Sequence, residues 1–175
     1  MNTANKITMV RVVLIPVFLV VLYLDFPYHI WVGLAVFLIA SLSDFLDGYI
    51  ARSRNMITDF GKFMDPIADK MLVTSAMCMF VAWGRMEAWM LLVVLTREFA
   101  VSAMRLVAAS EGKVIAAAWS GKVKTASTMV CIILMLAVSI PVLDTICCWV
   151  IVVTTVYSGV EYFVKNKDVI NWADM

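Results

Sequence analysis

The sequence predicts an all-α, polytopic membrane protein of six transmembrane helices with a polar chamber in the cytoplasmic half. Three observations predict it. Apolar residues make up 63% of the 175 positions and charged residues 15%, against about 45–50% and about 25% in soluble domains. The apolar residues fall into runs of the length a bilayer demands, about 20 residues each. The polar residues inside those runs collect at one end. This composition excludes a disordered chain, a disulfide-stapled secreted domain and a nucleic-acid binder, so no nucleic-acid partner is expected. The four cysteines, Cys78, Cys131, Cys147 and Cys148, lie in apolar runs without ligand spacing and read as reduced packing residues. No internal repeat, low-complexity tract or long linker interrupts the chain, which predicts a single membrane domain over 1–175.

The first span, 7–24, could be mistaken for the apolar core of a signal peptide. No small-residue cleavage pattern follows Leu24, however, and Asp25-Phe26-Pro27 comes instead, so it is kept as a span. The second span runs over 30–52 and the third over 62–83, separated by a short polar link. Gly84 to Glu87 then leads into the fourth, 88–109. A longer polar link reaches Gly121 and the fifth span, 122–140. Pro141 to Asp144 reads as the last turn before the sixth span, 145–164. An even number of spans puts both termini on one side. Of the 14 Lys and Arg residues only Arg85 falls on the opposite side, so the termini and the two long links face the cytoplasm of a cell membrane. Asp25, Glu87 and Asp144 mark the outer turns, and the lone histidine, His29, reads as a surface residue there. Polar residues gather at the cytoplasmic ends of spans two to five. A through-pore needs polar residues at every depth; a chamber under an apolar outer half suits a substrate with one end in lipid.

Asp44 and Asp47 stand three apart near the end of the second span, with Gly48, Ala51 and Arg52 continuing the stripe. Gly61, Asp65 and Asp69 repeat at intervals of four in the third. A tight link would set those stripes face to face and bring four carboxylates together. Each acidic group at membrane depth costs about 2.5–3.5 kcal/mol on insertion scales, and the four repel one another. Ion pairs with Arg52, Lys62 and Lys70 are one remedy. Two divalent cations are the better one, and an all-oxygen donor set suits Mg²⁺ or Mn²⁺. Gly48 and Gly61 either serve close helix packing or let a flat ring or a phosphate approach the backbone. Thr58 precedes the third span as a candidate N-cap.

The string Asp-x2-Asp-Gly-x2-Ala-Arg-x8-Gly-x3-Asp-x3-Asp, filled by Asp44, Asp47, Gly48, Ala51, Arg52, Gly61, Asp65 and Asp69, resembles the signature of the CDP-alcohol phosphotransferases, integral membrane enzymes of phospholipid synthesis. The resemblance implies that Asp44, Asp47, Asp65 and Asp69 hold two divalent cations and that Asp69 is also the general base on the acceptor hydroxyl. It implies contacts to CDP-diacylglycerol from Gly48 and Arg52, with Thr58 and Gly61 beside them. Asn5, Thr8 and Arg11 match the family's amino-terminal Asn-x2-Thr-x2-Arg element near the nucleotide; Ala4 stands where the family often has proline. A homodimer is implied as well.

The acceptor must be recognised by the remaining polar residues. Arg97, Arg105, Lys122 and Lys124 supply cations to the fourth and fifth spans. Lys122 and Lys124 could snorkel to headgroups, but Arg97 lies about 20 Å from the Ser110 end of its span by helical rise. Such cations make an anion pocket, with arginine suited to bidentate phosphate contact. Thr96-Arg97-Glu98-Phe99 and Gly121-Lys122-Val123-Lys124-Thr125 resemble the branch of the family whose acceptor is glycerol 3-phosphate. The expected reaction transfers the phosphatidyl group from CDP-diacylglycerol to that acceptor by single displacement. Inositol phosphate is the enzymatic alternative. A divalent-cation transporter using the same carboxylates is the alternative of another class.

Overall fold

In the computed structural model the described residues are 3–24, 26–53, 59–110, 112–113, 115–116 and 118–167; side chains are described except at 3–7, 44–53, 59–63 and 65–66. Among the described residues there are six helices and no strand: α1 Thr3–Tyr23, α2 His29–Ser53, α3 Asp59–Ala82, α4 Ala88–Ser110, α5 Trp119–Ala137 and α6 Pro141–Lys165. Each overlaps one expected span, and the ends differ. The clearest difference is α6, which starts at Pro141 rather than after a turn running to Asp144. A helix accepts proline in its first turn, where the missing N–H has no intrahelical partner, and Pro141 takes that place directly after Ile140. The fifth helix correspondingly occupies Trp119–Ala137 rather than 122–140.

The chain divides into two compact units, Met1–Trp83 with Leu136–Ser139, and Gly84–Met135 with Ile140–Met175. In the first, α1, α2 and α3 pack on one another. The buried line of α1 is Thr8, Arg11, Ile15, Phe18 and Leu22, a three-and-four spacing that keeps one stripe facing its partners. Phe18 meets Phe37 of α2 with ring centroids 5.8 Å apart. Gly33 permits the closest approach of α1 and α2: a Cβ there would come within 2.3 Å of Leu22 Cδ2. Ala68, Leu72, Ala76 and Phe80 form the buried line of α3. Between α1 and α2 the chain turns through Tyr28 at φ 69°. His29, expected at the surface, is half-buried at the head of α2, with Nδ1 bonded to the Phe26 carbonyl at 2.9 Å.

In the second unit α4 packs on α6. The α4 helix ends where Gly112 enters the left-handed region at φ +72°. Lys113 N–H there bonds Ala108 O at 2.9 Å and Gly112 N–H bonds Ala109 O at 3.0 Å, the paired bonds that close a helix on a glycine. The sixth helix is largely apolar on both its buried and its exposed face. Its buried positions include Asp144, Thr155 and Ser158, while Val142, Ile146, Val153, Val156, Val160 and Val164 are exposed. A broad exposed apolar face of this kind is costly in water and suits lipid. Both α5 and α6 are long and apolar enough to cross a bilayer, and Thr8–Tyr23 and His29–Ser43 are shorter apolar helices. The chain is a membrane protein. The cysteines are free, as expected, but only Cys131, Cys147 and Cys148 are buried; Cys78 is exposed, so it is not a packing residue within this chain.

Candidate functional site

Two helices of the first unit, α2 and α3, carry the carboxylate motif. Asp44, Asp47, Gly48 and Arg52 fall in the last turns of α2, and Gly61, Asp65 and Asp69 in the first turns of α3. These helices pack within one unit, so positions 44–52 and 61–69 belong to neighbouring elements. The side chains of Asn5, Asp44, Asp47, Arg52 and Asp65, the surroundings of Gly48 and Gly61, and all of Thr58 lie outside the described residues. Asp69 is described and is half-buried, directly after the fully buried Ala68. On α1, Thr8 and Arg11 are both buried, Arg11 completely. Two polar groups one turn apart at the buried face of an otherwise apolar helix are costly unless they serve partners.

The donor chemistry of the motif suits a hard divalent cation. Its four ligand candidates are carboxylates, and the histidine and the cysteines all lie elsewhere in the sequence.

The second unit carries the basic residues. Glu98 Oε1 accepts from Arg97 Nη1 at 2.9 Å and from Lys124 Nζ at 2.8 Å. One carboxylate thus ties α4 to α5 and leaves the trio a net positive charge. Arg97 Nη2 donates to Ser158 Oγ of α6 at 2.7 Å. Its Nε is buried and makes no hydrogen bond among the described residues. Lys124 is buried, at 5% exposure, which removes the snorkelling role considered for it. Lys122 is exposed. Arg105 is also exposed; its Nε donates to the Tyr162 hydroxyl at 3.1 Å, and its guanidinium carbon stands 5.6 Å from the centre of that ring. Eight residues turn a helix about 80° beyond two full turns, so Arg97 and Arg105 follow different lines of α4 and meet different residues of α6.

Glu98, Ser158 and Tyr162 therefore join the expected cations, as does Gly159, where a Cβ would stand 3.2 Å from Arg97 Cγ, and the residue pattern had not singled out the three on α6. The available signal was their spacing. Asp144, Cys148, Ile151, Thr155, Ser158 and Tyr162 repeat by three and four, and all are buried.

Arg85 and Asp144 form a second polar knot. Read in the sequence as lying at two outer turns, they are a partly buried bidentate pair, Nε to Oδ2 at 2.8 Å and Nη2 to Oδ1 at 2.7 Å. Arg85 Nη2 also donates to Met135 O at 2.6 Å. The pair joins the approach to α4, the end of α5 and the start of α6.

The model of the CDP-alcohol phosphatidyltransferase family matches residues 1–157. The chain belongs to this family. Among curated relatives it is 41% identical over 184 residues to the CDP-diacylglycerol–glycerol-3-phosphate 3-phosphatidyltransferase of Bacillus subtilis (strain 168), covering 94% of this chain and 95% of the relative. A protein of the same name from Rickettsia bellii (strain RML369-C) is 32% identical over 173 residues, covering 95% and 96%. One from Salmonella typhimurium (strain LT2) is 40% identical over 135 residues, covering 74% and 73%. Family membership accounts for the motif on α2 and α3; the basic residues of the second unit remain to be explained by the alcohol that the family member accepts.

Proposed function

We propose that the chain transfers the phosphatidyl group of CDP-diacylglycerol to sn-glycerol 3-phosphate, giving phosphatidylglycerophosphate and CMP. The observation that carries this reading is the complete eight-position motif, laid across two helices that pack in one unit. The names of the B. subtilis and Rickettsia relatives support the same donor and acceptor. The family generally depends on divalent cations, and Asp44, Asp47, Asp65 and Asp69 are the residues to hold two of them. Bound there, Mg²⁺ or Mn²⁺ supplies charge neutralisation to the diphosphate and to the departing CMP.

The protein's own groups do the rest. Asn5, Thr8, Gly48, Arg52, Thr58 and Gly61 bind the CDP moiety, with the acyl chains left in lipid. Arg97, Arg105, Lys122 and Lys124 take up the phosphate of the acceptor. Asp69 removes the proton from the C1 hydroxyl. The freed oxygen attacks the lipid-side phosphorus, a new P–O bond forms, and the bond to CMP breaks with its electrons leaving on CMP. None of the eight fixed positions of the motif is a serine, cysteine or histidine that could act as a nucleophile, which supports single displacement. We further read the chain as a single domain with six spans, a polar chamber in the inner half, both termini cytoplasmic, working in the cell membrane as a homodimer. The placement of 13 of the 14 basic residues in one set of links and span ends supports the orientation.

The test is CMP release by purified protein with CDP-diacylglycerol and Mg²⁺ or Mn²⁺, comparing glycerol 3-phosphate, inositol phosphate, inositol and serine. Release with glycerol 3-phosphate well above the others is expected. Equal release with inositol would overturn the anionic acceptor, and preference for inositol phosphate would reassign it.

A further inference from the structure

The acceptor reading makes Arg97 the deepest cation of the pocket, and the structure shows how that guanidinium is held. Arginine has five N–H donors in a fixed plane. One on Nη1 goes to Glu98 and one on Nη2 to Ser158, which leaves three, including the buried Nε. The stem of Arg97 runs across two places that have no side chain. A Cβ on Gly159 would stand 3.2 Å from Arg97 Cγ, and one on Gly121 would stand 3.6 Å from Nη2 and 3.9 Å from Ser158 Oγ. The first distance is tighter than ordinary contact, so a methyl at 159 displaces the arginine stem; the second is an ordinary contact.

We propose that Ser158 and Gly159 are positioning residues for acceptor binding: Ser158 fixes the guanidinium plane of Arg97 through Nη2, and Gly159 provides the slot its stem occupies. The inference rests on Arg97 binding the acceptor phosphate. A hydroxyl suits position 158 because it anchors an N–H without charge. A carboxylate there would add a second anion beside Glu98 and cancel the positive charge that attracts phosphate. Nothing in α6 belongs to the family motif, yet this helix sets the direction in which the remaining N–H groups point. Phosphate recognition by a planar fork depends on that direction.

The experiment measures KM for glycerol 3-phosphate, KM for CDP-diacylglycerol, kcat and melting temperature for the full-length protein and for Ser158→Ala, Gly159→Ala, Arg97→Lys and Ser158→Ala in the Arg97→Lys background. Loss of one hydrogen bond to a charged group is expected to raise the acceptor KM of Ser158→Ala about tenfold. Gly159→Ala is expected to act in the same direction, with the donor KM and the melting temperature held. In the Arg97→Lys background the serine change is expected to add nothing, because its effect passes through the guanidinium. If Arg97→Lys raises the acceptor KM while Ser158→Ala and Gly159→Ala leave it unchanged, the positioning role is wrong and the acceptor reading stands. A fall in melting temperature with both KM values and kcat altered together marks a merely structural role and also overturns the proposal. An unchanged acceptor KM in Arg97→Lys overturns the acceptor reading itself.

Discussion

The two units of the chain carry different kinds of charge: the first holds the four aspartates of the motif, the second a set of basic residues paired with Glu98 and Asp144. In the first, the motif places four aspartates on two neighbouring helices, a donor set that suits divalent cations. In the second, charge is balanced largely from within: Glu98 serves Arg97 and Lys124, and Asp144 serves Arg85. A site built to grip a phosphate can keep its cations ordered beforehand, provided donors are left over. On the proposed function, the first unit carries the chemistry and the second selects the acceptor.

Chelation separates the units most strongly. Activity is expected to vanish with EDTA and return with Mg²⁺ or Mn²⁺. Return without added divalent ion, or with monovalent salt alone, would remove the metal from the first unit. Asp69→Asn comes next: CMP release is expected to drop by about a thousandfold, within the range that loss of a general base produces, with unchanged size-exclusion behaviour. Wild-type turnover in that variant would assign the proton to another group. Asp144→Asn probes the other strategy. Breaking a buried ion pair by removing one partner costs about 3–5 kcal/mol, so a clear loss of melting temperature is expected, while kcat below the melting range holds. A kcat loss without destabilisation would draw Arg85 and Asp144 into the reaction. The smallest contrast lies within α5: Lys124→Ala is expected to raise the acceptor KM several-fold and Lys122→Ala less than twofold, as rim charges contribute little. Equal effects would show that burial does not distinguish the two lysines.

Much of the fold was legible because long apolar runs bounded by turn formers form helices, and each expected segment overlaps one of the six helices. The motif was legible for a similar reason: fixed spacing on adjacent helices is what a cluster of ligands requires. What escaped was partner choice in the second unit. Which residue Glu98, Arg85 or Arg97 meets depends on the rotation of each helix about its axis. In water that rotation is written in the alternation of polar and apolar faces. In lipid both faces of α6 are largely apolar, and only Asp144, Thr155 and Ser158 mark the inward line. Pro141 misled in a different way, since proline ends a helix in its interior but begins one at its first turn. His29 and Cys78 were misplaced because a single residue of either kind carries no periodicity.

The valine-clad outside of α6 also has a practical meaning. Valine, isoleucine and leucine can trade places there with little consequence, whereas stripping the hydrocarbon sleeve during purification would reward the helix for rolling its serine and threonine edge outwards. Such a roll would carry Ser158 away from Arg97 while every backbone bond of the helix survived. Preparations could then look fully helical by circular dichroism and still have lost their grip on the acceptor, so the choice of detergent belongs among the variables of any assay.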